Sequence, residues 1–253
     1  MDRNWKSKVF QSIFAHPDNI RFKSQLPIVK NYLVGAYCNT PLQWAIDIGC
    51  GTGRYTKFLV SLAPSVVCMD PNPVMLRRVQ QKYRSQKTEN RKQKSEDRSQ
   101  KIVGAIHELP LLVRGEVENL PFKSDMFNIA LLIEVLEHIE DDRAGLGEVR
   151  RILTDDAEIV ISTPCPPPVY PDTHHKRDGY TKKDMIRLLE SIGFKIITYK
   201  FCMFWWTRMI LKFAVNFRAL FKFPPPILFL ITLERVFKKS PPFDIIVKAK
   251  MVK

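Results

Sequence analysis

Residues 44–53, Trp-Ala-Ile-Asp-Ile-Gly-Cys-Gly-Thr-Gly, constrain the fold more than any other stretch of the chain. A short apolar run carries an acidic residue near its end, breaks into glycines at alternate positions, and leads into a helical pattern. Gly49, Gly51 and Gly53 allow positive φ and let a ligand approach bare backbone, while Asp47 can accept hydrogen bonds from a cationic or hydroxyl-bearing part of that ligand. The pattern predicts strand, turn and helix, with a nucleotide-bearing cofactor held at the turn. A dinucleotide fingerprint needs a further glycine at position 54, and Arg54 stands there. That weakens a hydride-transfer reading.

About twenty residues on, 65–70 form a second apolar run ending in Asp70, where a βαβ unit places a carboxylate against ribose hydroxyls. Pro71, Asn72 and Pro73 then start a helix. Further along stand Gly115-Glu-Val-Glu-Asn-Leu-Pro-Phe122 and Glu134-Val-Leu-Glu-His138, followed by Ser162-Thr163-Pro164 and a stretch from Tyr180 and Thr181 to Gly193 and Phe194. In this order the segments resemble the class I S-adenosylmethionine-dependent methyltransferases, within the type 11 group that includes the ubiquinone and menaquinone enzymes. The resemblance covers residues 40–200. It implies S-adenosylmethionine as cofactor, held by Asp47, Gly49, Gly51, Gly53, Asp70, Glu116, Val117 and Glu134. Glu116 and Val117 are placed at the adenine, Glu116 standing where aspartate is usual.

The implied fold is α/β: a Rossmann-like, mostly parallel sheet of seven strands flanked by helices, with the last strand antiparallel and a helical insert before it. Local patterns supply the elements. Strands are predicted at 111–114, at 127–133, which is apolar almost throughout as a doubly covered parallel strand should be, at 158–163, at 194–201 and at 243–251. Helices are predicted at 143–153 and at 181–192, the second capped by Thr181 and ended by Gly193. Thr154-Asp155-Asp156 is expected to form a turn. The chain has 253 residues, which suits one domain with insertions.

Three segments fall outside that plan. Residues 1–40 carry Trp5, Val9, Phe10, Ile13 and Phe14 at helical spacing and are expected to cap the cofactor pocket or merely cover the sheet. Residues 82–101 contain no apolar side chain after Tyr83 and read as a mobile polar insert, either a solvated loop or a nucleic-acid or lipid contact. Residues 203–242 hold Trp205, Trp206, Ile210, Phe213 and Phe217. On a helix at 204–223, Arg208, Lys212, Arg218 and Lys222 share one third of the circumference. A wide apolar face with a basic stripe fits a helix lying in a membrane interface, each basic residue adding about 1 kcal/mol near an anionic leaflet. Packing on the domain or on a second copy is the alternative.

The formal charge of +14 points to an anionic partner, nucleic acid or an acidic membrane surface. The five cysteines lack paired spacing and support neither a disulfide framework nor a zinc site, so no metal is expected and a reducing, cytoplasmic setting with peripheral membrane contact is the expected location. No leader sequence or spanning segment is evident.

Methyl transfer from a sulfonium is an in-line displacement in which positioning supplies much of the catalysis. A base is needed only where the acceptor loses a proton as it attacks. His138, after the fourth strand, and His174 and His175, on the proline-rich 165–180 loop, are the candidates, each also readable as a loop-orienting or solvated residue. Three functions follow: a methyltransferase acting on a small lipid-like or amphipathic acceptor at a membrane surface, an RNA methyltransferase, or a scaffold that keeps the fold without the reaction.

Overall fold

The computed structural model describes residues 17–35, 44–96, 109–168, 173–204 and 242–252. Helix α1 (Pro17–Gly35) precedes β1 (Trp44–Ile48), α2 (Thr56–Val60), β2 (Ser65–Met69), α3 (Pro73–Glu96), β3 (Leu111–Val113) and β4 (Phe127–Ile133). A 3-10 turn (Leu136–His138) leads to α4 (Asp142–Ile152), β5 (Leu153–Pro164), α5 (Lys182–Ile192), β6 (Phe194–Cys202) and β7 (Asp244–Met251). The seven strands form one sheet in the order β3-β2-β1-β4-β5-β7-β6, parallel from β3 through β5, with β7 antiparallel to both its neighbours. This is the expected Rossmann-like sheet with its antiparallel last strand.

Side chains alternate across the central strands, so each face builds its own core. Ile46, Ile48, Ala130 and Leu132 face one side, joined by Leu146 and Val149 of α4 and Met185 and Leu189 of α5. Ala45, Ile129, Leu131 and Ile133 face the other and meet Val29 and Leu33 of α1 and Leu59 of α2. Leu131 and Leu132 are both fully buried, which explains why β4 reads as a continuous apolar run rather than an alternating one. At about 1.5–3 kcal/mol per buried branched or aromatic side chain, these central strands anchor the fold.

Helix ends follow the local signals. Asp141 accepts from the backbone N–H groups of Arg143 and Ala144, both at 3.0 Å, to start α4. Thr181 accepts from Asp184 N–H at 3.2 Å to start α5, and Gly193, at φ +93°, ends it.

Two expectations are corrected. The 82–101 stretch is no loop at its start: α3 continues through Glu96. Lys, Arg, Gln and Glu are good helix formers, and the absence of Pro or Gly after Pro73 lets the helix propagate from its buried first turns without an apolar face of its own. Residues 154–156 are not a free turn either, since β5 begins at Leu153; the irregularity is absorbed by Asp156 at φ +66° and a register shift opposite Phe127 and Ile129. Trp5 to Phe14, residues 97–101 and residues 205–241 of the apolar, basic insert lie outside the described residues. No described helix is long and apolar enough to cross a membrane.

Candidate active site

Strand order reverses at β1, which has β2 on one side and β4 on the other. Open α/β sheets leave a crevice at such a point, beyond the carboxyl ends of the strands. A cavity of about 510 Å³ lies there, bounded by the glycine turn after β1, Glu134 after β4, Cys165 after β5 and Arg21 and Gln25 of α1.

The glycine turn is obligatory. Gly49, Gly51 and Gly53 have φ of +66°, +51° and +67°. A Cβ at Gly49 would lie 2.5 Å from Val135 Cγ2, whereas one at Gly51 would meet nothing within 4 Å. Gly49 is therefore required by packing as well as by φ, and Gly51 leaves open space where a ligand can reach the backbone. Asp70 fixes the turn from behind: its carboxylate accepts from Gly51 N–H and Asn72 N–H, each at 2.8 Å.

Asp47 lines the cavity yet is only 2% exposed. Thr56 Oγ1 donates to its Oδ2 at 2.6 Å. Burial pushes its pKa up to about 7, partly offset by the Thr56 hydrogen bond and raised further by neighbouring Asp70. A cationic ligand beside it would favour ionisation.

Beneath α1 lies a polar cluster that sequence reading missed. Arg21 is paired with both Glu134 and Asp244, its Nε donating to Asp244 Oδ2 at 2.9 Å. Gln25 Nε2 donates to Glu134 Oε1 at 2.7 Å, to Asp244 Oδ2 at 2.9 Å and to Ser162 Oγ at 2.9 Å, while Tyr55 Oη donates to Gln25 Oε1 at 2.7 Å. Asp244 is fully buried; burial raises its pKa to about 6 against the lowering pull of Arg21. The available signals were an aspartate opening an apolar strand and an Arg and Gln four apart on a helix, and neither names its partner. Glu134 adopts φ +59°, held at this cluster rather than pointing freely into the cavity.

On the opposite wall stand His138 and His175, their ring centroids 4.7 Å apart and nearly perpendicular. His138 Nδ1 donates to the His174 carbonyl at 3.2 Å, which leaves Nε2 as the basic nitrogen of a neutral ring. His174 enters through that carbonyl, and its ring is not on the cavity wall. The 173–180 loop is bound to the segment after β4. Lys176 N–H donates to Glu137 O at 2.8 Å, and Arg177 reaches the carbonyls of Ile139 and Glu140 at 2.8 and 2.9 Å while pairing with Asp142.

Of the residues singled out from sequence, Asp47, Gly49, Gly51, Glu134, His138 and His175 converge on the cavity. Gly53 and Asp70 support the turn from outside it. Glu116 is exposed in the turn after β3, and Val117 is buried against α4, so neither is part of the cavity wall.

Residues 46–161 match the family profile described as "Methyltransferase domain". An uncharacterized protein in transposon Tn4556 of Streptomyces fradiae is 26% identical over 215 residues, 76% of this chain, and the match spans only 56% of that relative's length. An uncharacterized methyltransferase of Bacillus subtilis is 24% identical over 192 residues, 72% of this chain and 69% of the relative. Among solved structures, an S-adenosylmethionine-dependent methyltransferase from Aquifex aeolicus superposes with a TM-score of 0.55 at 11% identity, covering 94% of this chain and all of that one. The [4+2]-cyclase SpnF superposes at 0.59 with 12% identity, covering 88% and 80% of the two chains. Residues 46–161 thus match a methyltransferase domain, and the sheet, the glycine turn and its two carboxylates agree with the fold of the S-adenosylmethionine-dependent methyltransferase it superposes on.

Proposed function

We propose that the protein transfers a methyl group from S-adenosylmethionine to a small amphipathic or lipid-like acceptor, at the surface of an anionic membrane. The observation that carries this reading is the cavity of about 510 Å³, which lies within the roughly 300–1,000 Å³ typical of small-molecule sites and opens between a glycine cradle and a histidine wall. Asp47 supplies a carboxylate for the cationic end of the donor, the glycine turn gives it backbone to lie against, and the remaining cavity faces His138 and His175. In the reaction the acceptor attacks the methyl carbon in line, the carbon–sulfur bond breaks, and its electron pair stays on sulfur. His138 Nε2 is placed to take a proton from a hydroxyl acceptor.

The membrane half of the proposal rests on the 203–242 sequence, with its tryptophans and its stripe of Arg208, Lys212, Arg218 and Lys222. Isothermal titration with S-adenosylmethionine tests the first half, and absence of binding would leave the scaffold alternative. Flotation with anionic liposomes tests the second. The wild type is expected to float and the variant with all four basic residues changed to Glu to remain below; equal behaviour of the two refutes it. A mass increase of 14 Da in one component of a lipid extract, from one CH2 replacing H, would identify the acceptor.

One observation favours an RNA acceptor instead. Helix α3 carries eight Lys or Arg against two Glu over Pro73–Glu96. Tight RNA binding that weakens steeply with salt would make that reading the leading one.

A further inference from the structure

We propose that Glu137, His138 and His175 form a binding site for one divalent transition-metal ion, of the zinc type, at the edge of the cavity, whose wall includes both histidines while Glu137 lies buried behind it. One donor atom from each residue lies within 4.8 Å of the others. Two imidazoles and a carboxylate are a donor set that suits zinc and its neighbours, with further positions left for water or substrate.

Glu137 supplies the independent observation. Its side chain is fully buried, and among the described residues its Oε1 has no hydrogen-bond partner. Its other oxygen receives a long contact, 3.4 Å, from Thr163 Oγ1. A buried carboxylate with one oxygen left without a donor is costly to keep ionised. A dication between the carboxylate and the two rings removes that cost.

The surroundings are those of an organised metal site. His138 Nδ1 donates to a backbone carbonyl, an outer contact that fixes the tautomer of a metal-binding histidine and leaves Nε2 with its lone pair. The loop bearing His175 is fastened to the segment bearing Glu137 and His138 by the Lys176 N–H and by the Arg177 guanidinium. Donors around a tetrahedral zinc stand roughly 3.3 Å apart for bonds of about 2.0 Å, so the ion would have to draw the three donors, now within 4.8 Å of one another, closer together. The chemical consequence rests on the methyl-transfer reading. With the ion bound, His138 Nε2 serves as ligand in place of base: a hydroxyl acceptor that ligates the ion gives up its proton to water more readily, and its oxygen then attacks the methyl carbon as the sulfonium sulfur takes the bonding pair.

The test uses the tag-free full chain, stripped with a chelator, and titrates zinc alone by calorimetry. One ion per chain is expected. His175→Ala and Glu137→Gln are each expected to weaken binding at least about 10-fold, and His174→Ala, which keeps its carbonyl, to bind as the wild type does. Circular dichroism and S-adenosylmethionine affinity establish that each variant is folded. Cobalt substitution should give a visible spectrum without a thiolate charge-transfer band, since Cys50 and Cys165 also border the cavity. Absence of stoichiometric zinc binding, a thiolate band, or a folded His175→Ala variant that binds zinc like the wild type would overturn the site. Loss of zinc binding with the cofactor still bound counts against the ion alone; loss of cofactor binding counts against methyl transfer.

Discussion

Replacing Asp47 by Asn isolates the electrostatic strain stored at the cradle. The carboxyl is 2% exposed, and its hydrogen bond from Thr56, 2.6 Å long, can be kept by the amide oxygen of Asn. Burial raises its pKa from an ordinary 3.8 to about 7 in the folded protein. Below pH 3.8 the group is protonated in folded and unfolded chains alike, and the substitution is nearly neutral. Between that pH and about 7 the unfolded chain releases a proton that the folded chain retains, so the wild type loses stability relative to Asp47→Asn as pH rises, and above about 7 the difference is constant. At ~1.4 kcal/mol for each tenfold change, the gap amounts to about 4 kcal/mol at most, reduced by any water reaching the cavity side of the carboxylate. Urea unfolding of both proteins without cofactor, at pH 4 and pH 8, measures the change in their stability difference and cancels every group they share. A difference that stays the same at the two pH values would refute the reasoning. Titration with S-adenosylmethionine at pH 8 should meanwhile show the Asn variant binding at least about 10-fold more weakly, because a charge-assisted contact has been lost.

Two further changes separate packing from ligand contact and charge pairing from burial. Gly49→Ala is expected to destabilise the fold by about 2–4 kcal/mol, from positive φ plus the Val135 collision, whereas Gly51→Ala should cost about 1 kcal/mol in thermal or urea unfolding and still abolish cofactor binding. Arg21→Met should cost about 3–5 kcal/mol at pH 8 by leaving Asp244 and Glu134 without their cation, and the loss should shrink as pH falls toward about 6 and level off below it, because Asp244 without the lowering pull of Arg21 takes up its proton at a higher pH than in the wild type. A penalty independent of pH, followed by urea unfolding, would show that Arg21 acts through packing alone.

Local chemistry carried much of this fold into the sequence. The apolar runs at 44–48, 65–69 and 127–133, the glycines of the cradle, Asp141 and Thr181 as caps and Gly193 as a stop act through their nearest neighbours, and such effects are legible wherever they occur. Polarity alone did not mark 82–96 as helical, because helix propensity is indifferent to the lack of an apolar face. Contacts across long separations were another matter. Arg21 meets Asp244 at a sequence distance of 223 residues, and Gln25 meets Glu134 at 109, because the order and direction of the strands bring α1, the carboxyl end of β4 and the start of β7 to one end of the sheet. His138 and His175 were each visible as histidines beyond a strand, but their pairing beside Glu137, whose Oε1 has no hydrogen-bond partner among the described residues, depends on a loop fastened by backbone hydrogen bonds. Residue type and spacing marked the turn as a cradle for a nucleotide-bearing cofactor, and the family resemblance implied which one; only the folded sheet decided which charged groups share the cavity, since burial and proximity, the two quantities that set their energies, are properties of the assembled chain.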